Sequence, residues 1–141
     1  MKNQLKALVL CSAIFGMQAA FAQVAVVVGA KSDIAALTSD QVSAIFLGKS
    51  DKFPSGSTAL PLDQTAGSAI RGLFYDKVTG KNEAQVKAAW SRLVFSGKGT
   101  PPKEISGSAE VKKLVSSNPN TIGYIEKSAV DSSVKVVLSA D

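Results

Sequence analysis

Short, continuous apolar runs alternate along this chain with longer amphipathic stretches. Residues 24–29 form a β-branched run that ends in glycine, which predicts a strand buried on both faces. Three further strands are predicted over residues 58–62, 121–125 and 134–138. Apolar positions with a helical period predict four helices, over residues 38–47, 65–78, 83–95 and 108–116.

Capping residues support the boundaries of these helices. Thr38 and Gln41 have the spacing of a capping box, and Asn82 can cap the helix that follows it. Gly48 and Gly80 stand where the first and second helices should end. The third helix carries Trp90 on its apolar stripe, so we expect this side chain to lie in the core.

The order of elements is β-α-β-α-α-α-β-β, which is typical of a layered α/β domain. We therefore predict a mostly parallel sheet of about four strands with helices packed on it. In such sheets, ligands bind beyond the carboxyl ends of the strands, near helix N-termini. A binding site is thus expected where a strand leads into a helix.

The first 22 residues have the pattern of a cleavable signal peptide. Lys2 and Lys6 precede an apolar stretch at residues 8–15, and Ala20-Phe21-Ala22 fits the cleavage pattern. The apolar stretch is shorter than the roughly 20 residues that span a bilayer. We expect residues 1–22 to be removed and residues 23–141 to form one domain in the periplasm. The alternative is a retained N-terminal anchor.

Composition excludes several classes of chemistry. The 141 residues include one Cys and no His, which leaves no disulfide framework, Cys/His zinc site or Ser-His-Asp triad. No carboxylate spacing indicates a metal site, so we expect neither catalysis nor a cofactor. Residues 23–141 contain 14 basic and 11 acidic residues, a net charge of +3. The basic residues are dispersed, which argues against a nucleic-acid partner.

The segment from strand to helix at residues 62–71 is the best candidate for a binding site. Thr65 and Ser68 offer hydroxyl donors, and Gly67 permits close approach to backbone N–H groups. Arg71 can bind an oxyanion with its guanidinium, and Asp63 can accept a proton from a protonated one. The alternative is structural, with Asp63 or Thr65 capping the helix and Arg71 pairing with a surface carboxylate.

Three segments of the sequence resemble phosphate-binding proteins of ABC transporters. Residues 37–49, LTSDQVSAIFLGK, and residues 118–125, NPNTIGYI, resemble two family segments, and residues 63–74 occupy the place of a third. The resemblance implies a lobe of type 2 periplasmic-binding-protein fold. Removal of the signal peptide would leave 119 of the 141 residues, about enough for a single lobe.

Two functions remain open at this level. The first is a periplasmic solute-binding-protein-like module that recognises phosphate or a similar oxyanion. The second is a protein-interaction or sensor accessory that docks on a membrane receptor or transporter without binding a small molecule. An enzyme is the weakest hypothesis, because His, Cys and paired carboxylates are missing from the predicted domain. The oligomeric state is not indicated.

Export gives the first testable prediction. Protein taken from the periplasmic fraction should have the intact mass of residues 23–141, because cleavage after Ala22 removes the leader. Mass spectrometry of the purified protein measures this directly. A mass that includes residues 1–22 would show that the segment is retained as an anchor.

Overall fold

The computed structural model describes residues 23–141, so the predicted signal peptide lies outside the described residues. Its strands are β1 (Val24–Gly29), β2 (Leu60–Gln64), β3 (Lys103–Ile105), β4 (Thr121–Glu126) and β5 (Val134–Ala140). Its helices are α1 (Ser39–Phe46), α2 (Ala69–Phe74), α3 (Glu83–Phe95) and α4 (Ser108–Ser117). A π-helical segment (Tyr75–Thr79) follows α2 directly, and a 3-10 turn (Lys127–Ala129) follows β4.

The five strands form one sheet in the order β3-β2-β4-β1-β5. β2 pairs in parallel with β3 and β4, whereas β1 pairs antiparallel with β4 and β5. Four strands therefore run in one direction and β1 alone runs in the other. The predicted α/β class, with a mostly parallel sheet and packed helices, is confirmed.

β1 is buried along its whole length, as its apolar sequence predicted. Its side chains alternate between two apolar clusters, one on each face of the sheet. Val26 belongs to the cluster that contains Phe46 and Phe74, from α1 and α2. Val27 belongs to the cluster that contains Val111 of α4. Helices thus cover both faces of β1.

Several boundaries differ from the prediction, and two of the differences affect the site. β2 extends to Gln64 instead of ending at residue 62, because Asp63 and Gln64 pair with β3. The strand β3 was not predicted, since three residues beside two prolines have no strand pattern. α2 begins at Ala69 instead of residue 65, because the preceding residues form a turn in which Ser68 N–H donates to Thr65 C=O at 3.1 Å.

The other helix ends follow the predicted capping residues. Thr38 and Asn82 each form the expected capping box, with Gln41 and Gln85 respectively. Gly80 ends the π-helical segment with a φ of 69°. Among residues 23–141, no helix combines the length and apolarity needed to cross a membrane.

Trp90 lies in the core, as predicted, but it packs against a helix end. It is 9% exposed, and its Nε1 donates to the carbonyl of Phe46 at 2.9 Å. Its ring also packs against Gly48, where an added Cβ would lie 2.7 Å from the indole. Gly48 has a φ of 74°, which favours glycine at this contact. Trp90 therefore links α3 to the C-terminal end of α1.

Removal of the indole should destabilise the protein. Trp90→Ala should lower the free energy of unfolding by about 3–5 kcal/mol, because it leaves a cavity and an unpaired carbonyl. Phe95→Ala on the same helix is the matched control, since Phe95 is 96% exposed and should cost little. Urea melts measure both variants. Equal stability of the two would show that Trp90 does not hold α3 in place.

Candidate functional site

Asp63 lies at the end of β2 and is almost completely buried. Its Oδ2 accepts a hydrogen bond from the Tyr75 hydroxyl at 2.5 Å. Its Oδ1 accepts from the Tyr124 hydroxyl and from the backbone N–H of Gln64. A buried carboxylate is costly unless donors and opposite charge surround it, and this one has both. Arg71 supplies the charge, with Nη1 3.7 Å from Oδ2.

The two tyrosines are held as neutral donors. Burial, followed by the nearby negative charge of Asp63, raises the pKa of Tyr75 well above its ordinary value of about 10. The same two causes raise the pKa of Tyr124. Both hydroxyl groups therefore keep their protons, and both donate to the same carboxylate.

Arg71 on α2 contacts three carboxylates and a backbone carbonyl. Its Nη1 donates to Glu104 at 2.6 Å and to the carbonyl of Gln64 at 2.9 Å. Its Nε lies 3.2 Å from Oε1 of Glu83, in a direction that makes no hydrogen bond. Burial lowers the pKa of Arg71, but the charge of Asp63 and the hydrogen bond to Glu104 outweigh it and raise the pKa overall. The guanidinium therefore stays charged.

The turn between β2 and α2 carries Thr65, Gly67 and Ser68, and one oxygen of Glu83 lies near both the turn and Arg71. Gly67 has a φ of 82°, and its N–H points to Oε1 of Glu83 at 3.4 Å. Ser68 is the N-terminal cap residue of α2 and is half-buried, while Thr65 is exposed on the turn. Ser68 and Arg71 are three residues apart, which places them on neighbouring positions of one helix face.

Two buried side-chain atoms in residues 23–141 lack a hydrogen-bond partner, and both belong to this site. They are Oγ of Ser68 and Nε of Arg71. Folded proteins pair nearly all such groups, so an unpaired one calls for an explanation. Both groups can donate a hydrogen bond. The predicted anion site thus holds two buried donors that make no hydrogen bond, although Nε has a Glu83 oxygen 3.2 Å away.

An open groove with a volume of about 710 Å³ adjoins Arg71, whereas Thr65, Gly67 and Ser68 are not among the residues that line it. Asp63, Arg71, Glu83 and Glu104 line it, together with apolar side chains of α3 and of the segment before β3. The latter are Val86, Trp90, Val94, Phe95, Pro101 and Pro102. Trp90 therefore contributes to both the core and the groove wall. Residues 23–141 contain no group of three or more His, Cys, Asp or Glu side chains that is arranged to hold a metal ion.

Sequence reasoning selected Asp63, Thr65, Gly67, Ser68 and Arg71 as candidates, but it missed the side chains that contact them. Tyr75, Tyr124, Glu83 and Glu104 come from four separate elements. No spacing along the chain relates them to one another. One signal was available: Tyr124 is a polar-tipped residue within a buried strand, and a buried tyrosine usually finds a hydrogen-bond partner.

The solved structures to which this chain is similar include proteins of phosphate transport. One, from Clostridium perfringens, is assigned as a phosphate ABC transporter substrate-binding protein and holds bound phosphate. It is 25% identical to this chain, with a TM-score of 0.66 over 82% of this chain and 45% of that chain. An ABC-type phosphate transport receptor from Vibrio cholerae is 19% identical, with a TM-score of 0.65 over 82% and 47%.

A third similar structure is PstS from Borrelia burgdorferi, 14% identical with a TM-score of 0.60 over 82% of this chain and 47% of that chain. This chain therefore spans less than half of each of the three solved chains. No protein-family model matches the chain, and no curated protein matches it either.

The raised tyrosine pKa values predict a loss of stability at alkaline pH. The unfolded chain releases its tyrosine protons near pH 10, whereas the folded chain retains them, so the free energy of unfolding should fall as pH rises above about 10. The chain has two tyrosines, Tyr75 and Tyr124, so absorbance at the tyrosinate band reports on this pair alone. In the folded protein, that band should stay absent until the protein unfolds.

Urea-unfolded protein is the control for this titration, and it should show both tyrosines ionising near pH 10. The variant Tyr75→Phe leaves Tyr124 alone and should still resist ionisation while folded. Tyrosinate absorbance that rises near pH 10 with the fold intact would contradict the buried network.

Proposed function

The chain has the single-lobe fold of the phosphate ABC transporter substrate-binding protein-like family, and we propose that it is a non-catalytic module that recognises phosphate or a similar oxyanion. The observation that carries this proposal is the pair of unused donors, Ser68 Oγ and Arg71 Nε, at the predicted site. The similarity to a structure with bound phosphate supports it. In this proposal the leader at residues 1–22 directs the module to the periplasm.

An oxyanion in this site would accept hydrogen bonds from three kinds of donor. These are the hydroxyl of Ser68, the backbone N–H of Gly67 and the guanidinium of Arg71. Thr65, exposed at the rim of the turn, would add a second hydroxyl. Tetrahedral anions suit such a set because their oxygens accept from several directions at once.

Asp63 would act mainly by holding Arg71 in position. Its carboxylate contacts Nη1 at 3.7 Å and leaves Nε facing away. We also propose that Asp63 accepts the proton of a protonated oxyanion. Oδ1 already accepts two hydrogen bonds and Oδ2 accepts one, so the proton would go to the remaining lone pair of Oδ2 while both tyrosines stay bound.

The expected affinity is low for a single lobe. The charge-assisted pair with Arg71 contributes about 1.5–3 kcal/mol, and the start of α2 contributes about 0.3–1 kcal/mol. Micromolar binding needs about 8 kcal/mol. Binding by the chain alone should therefore lie in the millimolar range.

A second candidate function is docking on a membrane receptor or transporter. One observation favours it: Phe95 at the end of α3 is 96% exposed and borders the apolar wall of the groove. Val94 beside it is half exposed. Exposed aromatic side chains are enriched in protein interfaces. In this case the small molecule is dispensable, and the apolar surface would carry the function.

Calorimetry with phosphate, sulfate and molybdate separates these two functions. The oxyanion module predicts millimolar binding of at least one of the three anions. Ser68→Ala should weaken that binding severalfold without loss of stability, because the hydroxyl it removes has no partner in the fold. Ser116→Ala, at an exposed position of α4, is the matched control and should bind like the unaltered protein.

Arg71→Ala is a less clean variant for this test, because it also removes the charge that faces buried Asp63. Absence of heat with all three anions at millimolar concentration would reject the oxyanion module and favour docking. Sub-micromolar binding, or equal binding by Ser68→Ala, would show that this account of the site is wrong.

A further inference from the structure

Two carboxylates of the chain itself occupy the positions where an oxyanion would bind. Oε1 of Glu83 lies 3.4 Å from the N–H nitrogen of Gly67 and 3.2 Å from Nε of Arg71. Oε1 of Glu104 lies 2.6 Å from Nη1 of Arg71. The guanidinium and the backbone of the turn therefore already face negatively charged oxygens, one from the start of α3 and one from β3.

We propose that Glu83 and Glu104 are internal substitutes for the oxyanion, which an incoming anion must displace, and that they set the affinity of the site. This inference rests on the proposed function, since it concerns the same donors. The inference assigns a role to Glu83 and Glu104, whose ionised side chains cannot donate a hydrogen bond to an anion. Their effect is to weaken binding, both by occupying Arg71 and by repelling an approaching negative charge.

The exposure of the two side chains makes displacement feasible. The side chain of Glu83 is 37% exposed and that of Glu104 is 53% exposed, compared with 4% for Asp63. Solvent can hydrate both carboxylates when they separate from Arg71, although the Arg71 side chain itself is only 13% exposed. Glu104 also lies on a three-residue strand at the edge of the sheet.

Asp63, in contrast, stays beside Arg71 when the two glutamates are displaced. Two tyrosine hydroxyls and a backbone N–H hold it within the fold, and it faces Arg71 from inside the protein. When Glu83 and Glu104 turn to solvent, Arg71 keeps one carboxylate partner and gains free donors on its outer side. The guanidinium thus remains in place while its outer ligand changes.

The charges around Arg71 predict whether a substitution strengthens or weakens phosphate binding. With both glutamates ionised, three carboxylates surround one guanidinium, an excess of negative charge that opposes anion binding. A glutamine in either position keeps the shape and removes one charge. Loss of both charges should strengthen phosphate binding most.

The test is calorimetric titration of phosphate into Glu83→Gln, Glu104→Gln and the double variant. We expect each single variant to bind a fewfold more tightly than the unaltered protein and the double variant at least about tenfold, or 1.4 kcal/mol. Glu110→Gln, an exposed position on α4, is the charge-matched control and should leave the affinity unchanged. Thermal melts of all variants verify that the fold is retained.

The outcomes distinguish this inference from the proposed function. If the unaltered protein binds phosphate and the double variant binds it no more tightly, the proposal that the anion displaces Glu83 and Glu104 is contradicted. The proposed oxyanion-binding function is then retained. An equal gain in phosphate affinity in Glu110→Gln would also contradict the displacement proposal, because the gain would then come from the change in net charge alone. If neither the unaltered protein nor the double variant binds phosphate, both proposals fail.

Discussion

The buried carboxylate of Asp63 is the interaction on which the rest of the site depends. It joins three parts of the fold that are distant in sequence: the end of β2, the middle of β4 through Tyr124, and the π-helical segment through Tyr75. Aromatic packing reinforces the same connection, since Phe74 stacks on Tyr124 with ring centroids 4.0 Å apart. A buried charge is tolerated here because hydroxyl groups and Arg71 surround it.

This network also explains why the site keeps its donors unused. Asp63 lies 3.7 Å from Nη1 of Arg71, and the carbonyl of Gln64 accepts from Nη1 at 2.9 Å; these contacts orient the guanidinium, whose Nε makes no hydrogen bond. Ser68 is fixed at the start of α2, whose position depends on Phe74 and Tyr75 in the core. The cost of an unsatisfied buried donor is about 1–3 kcal/mol, and a ligand that accepts from it recovers that cost.

Much of the fold could be predicted because it follows local rules. The apolar run of β1, the capping boxes at Thr38 and Asn82 and the left-handed glycine at Gly80 each depend on a few neighbouring residues. β3 could not be predicted, because its three residues become a strand only by pairing with β2. Pairing with β3 also extends β2 and brings Asp63 into the sheet.

The residues of the candidate site also fall into a group that the sequence could predict and a group that it could not. Asp63, Gly67, Ser68 and Arg71 lie within nine residues of sequence, so a strand-to-helix pattern was enough to select them together. Glu83 and Glu104 reach Arg71 from α3 and β3, and only the packing of those elements reveals that they compete for it. The sequence could thus predict which donors are present, but not that the chain supplies its own carboxylates to them.

Anomalous diffraction from crystals soaked in molybdate tests the central claim most directly. The account predicts a molybdenum peak beside the turn between β2 and α2, with oxygens in hydrogen-bond range of Ser68 Oγ and Arg71 Nε and with Glu83 and Glu104 turned to solvent. Asp63 should keep both tyrosine hydrogen bonds. A peak elsewhere, or an empty site with Arg71 still paired to both glutamates at saturating molybdate, would contradict it.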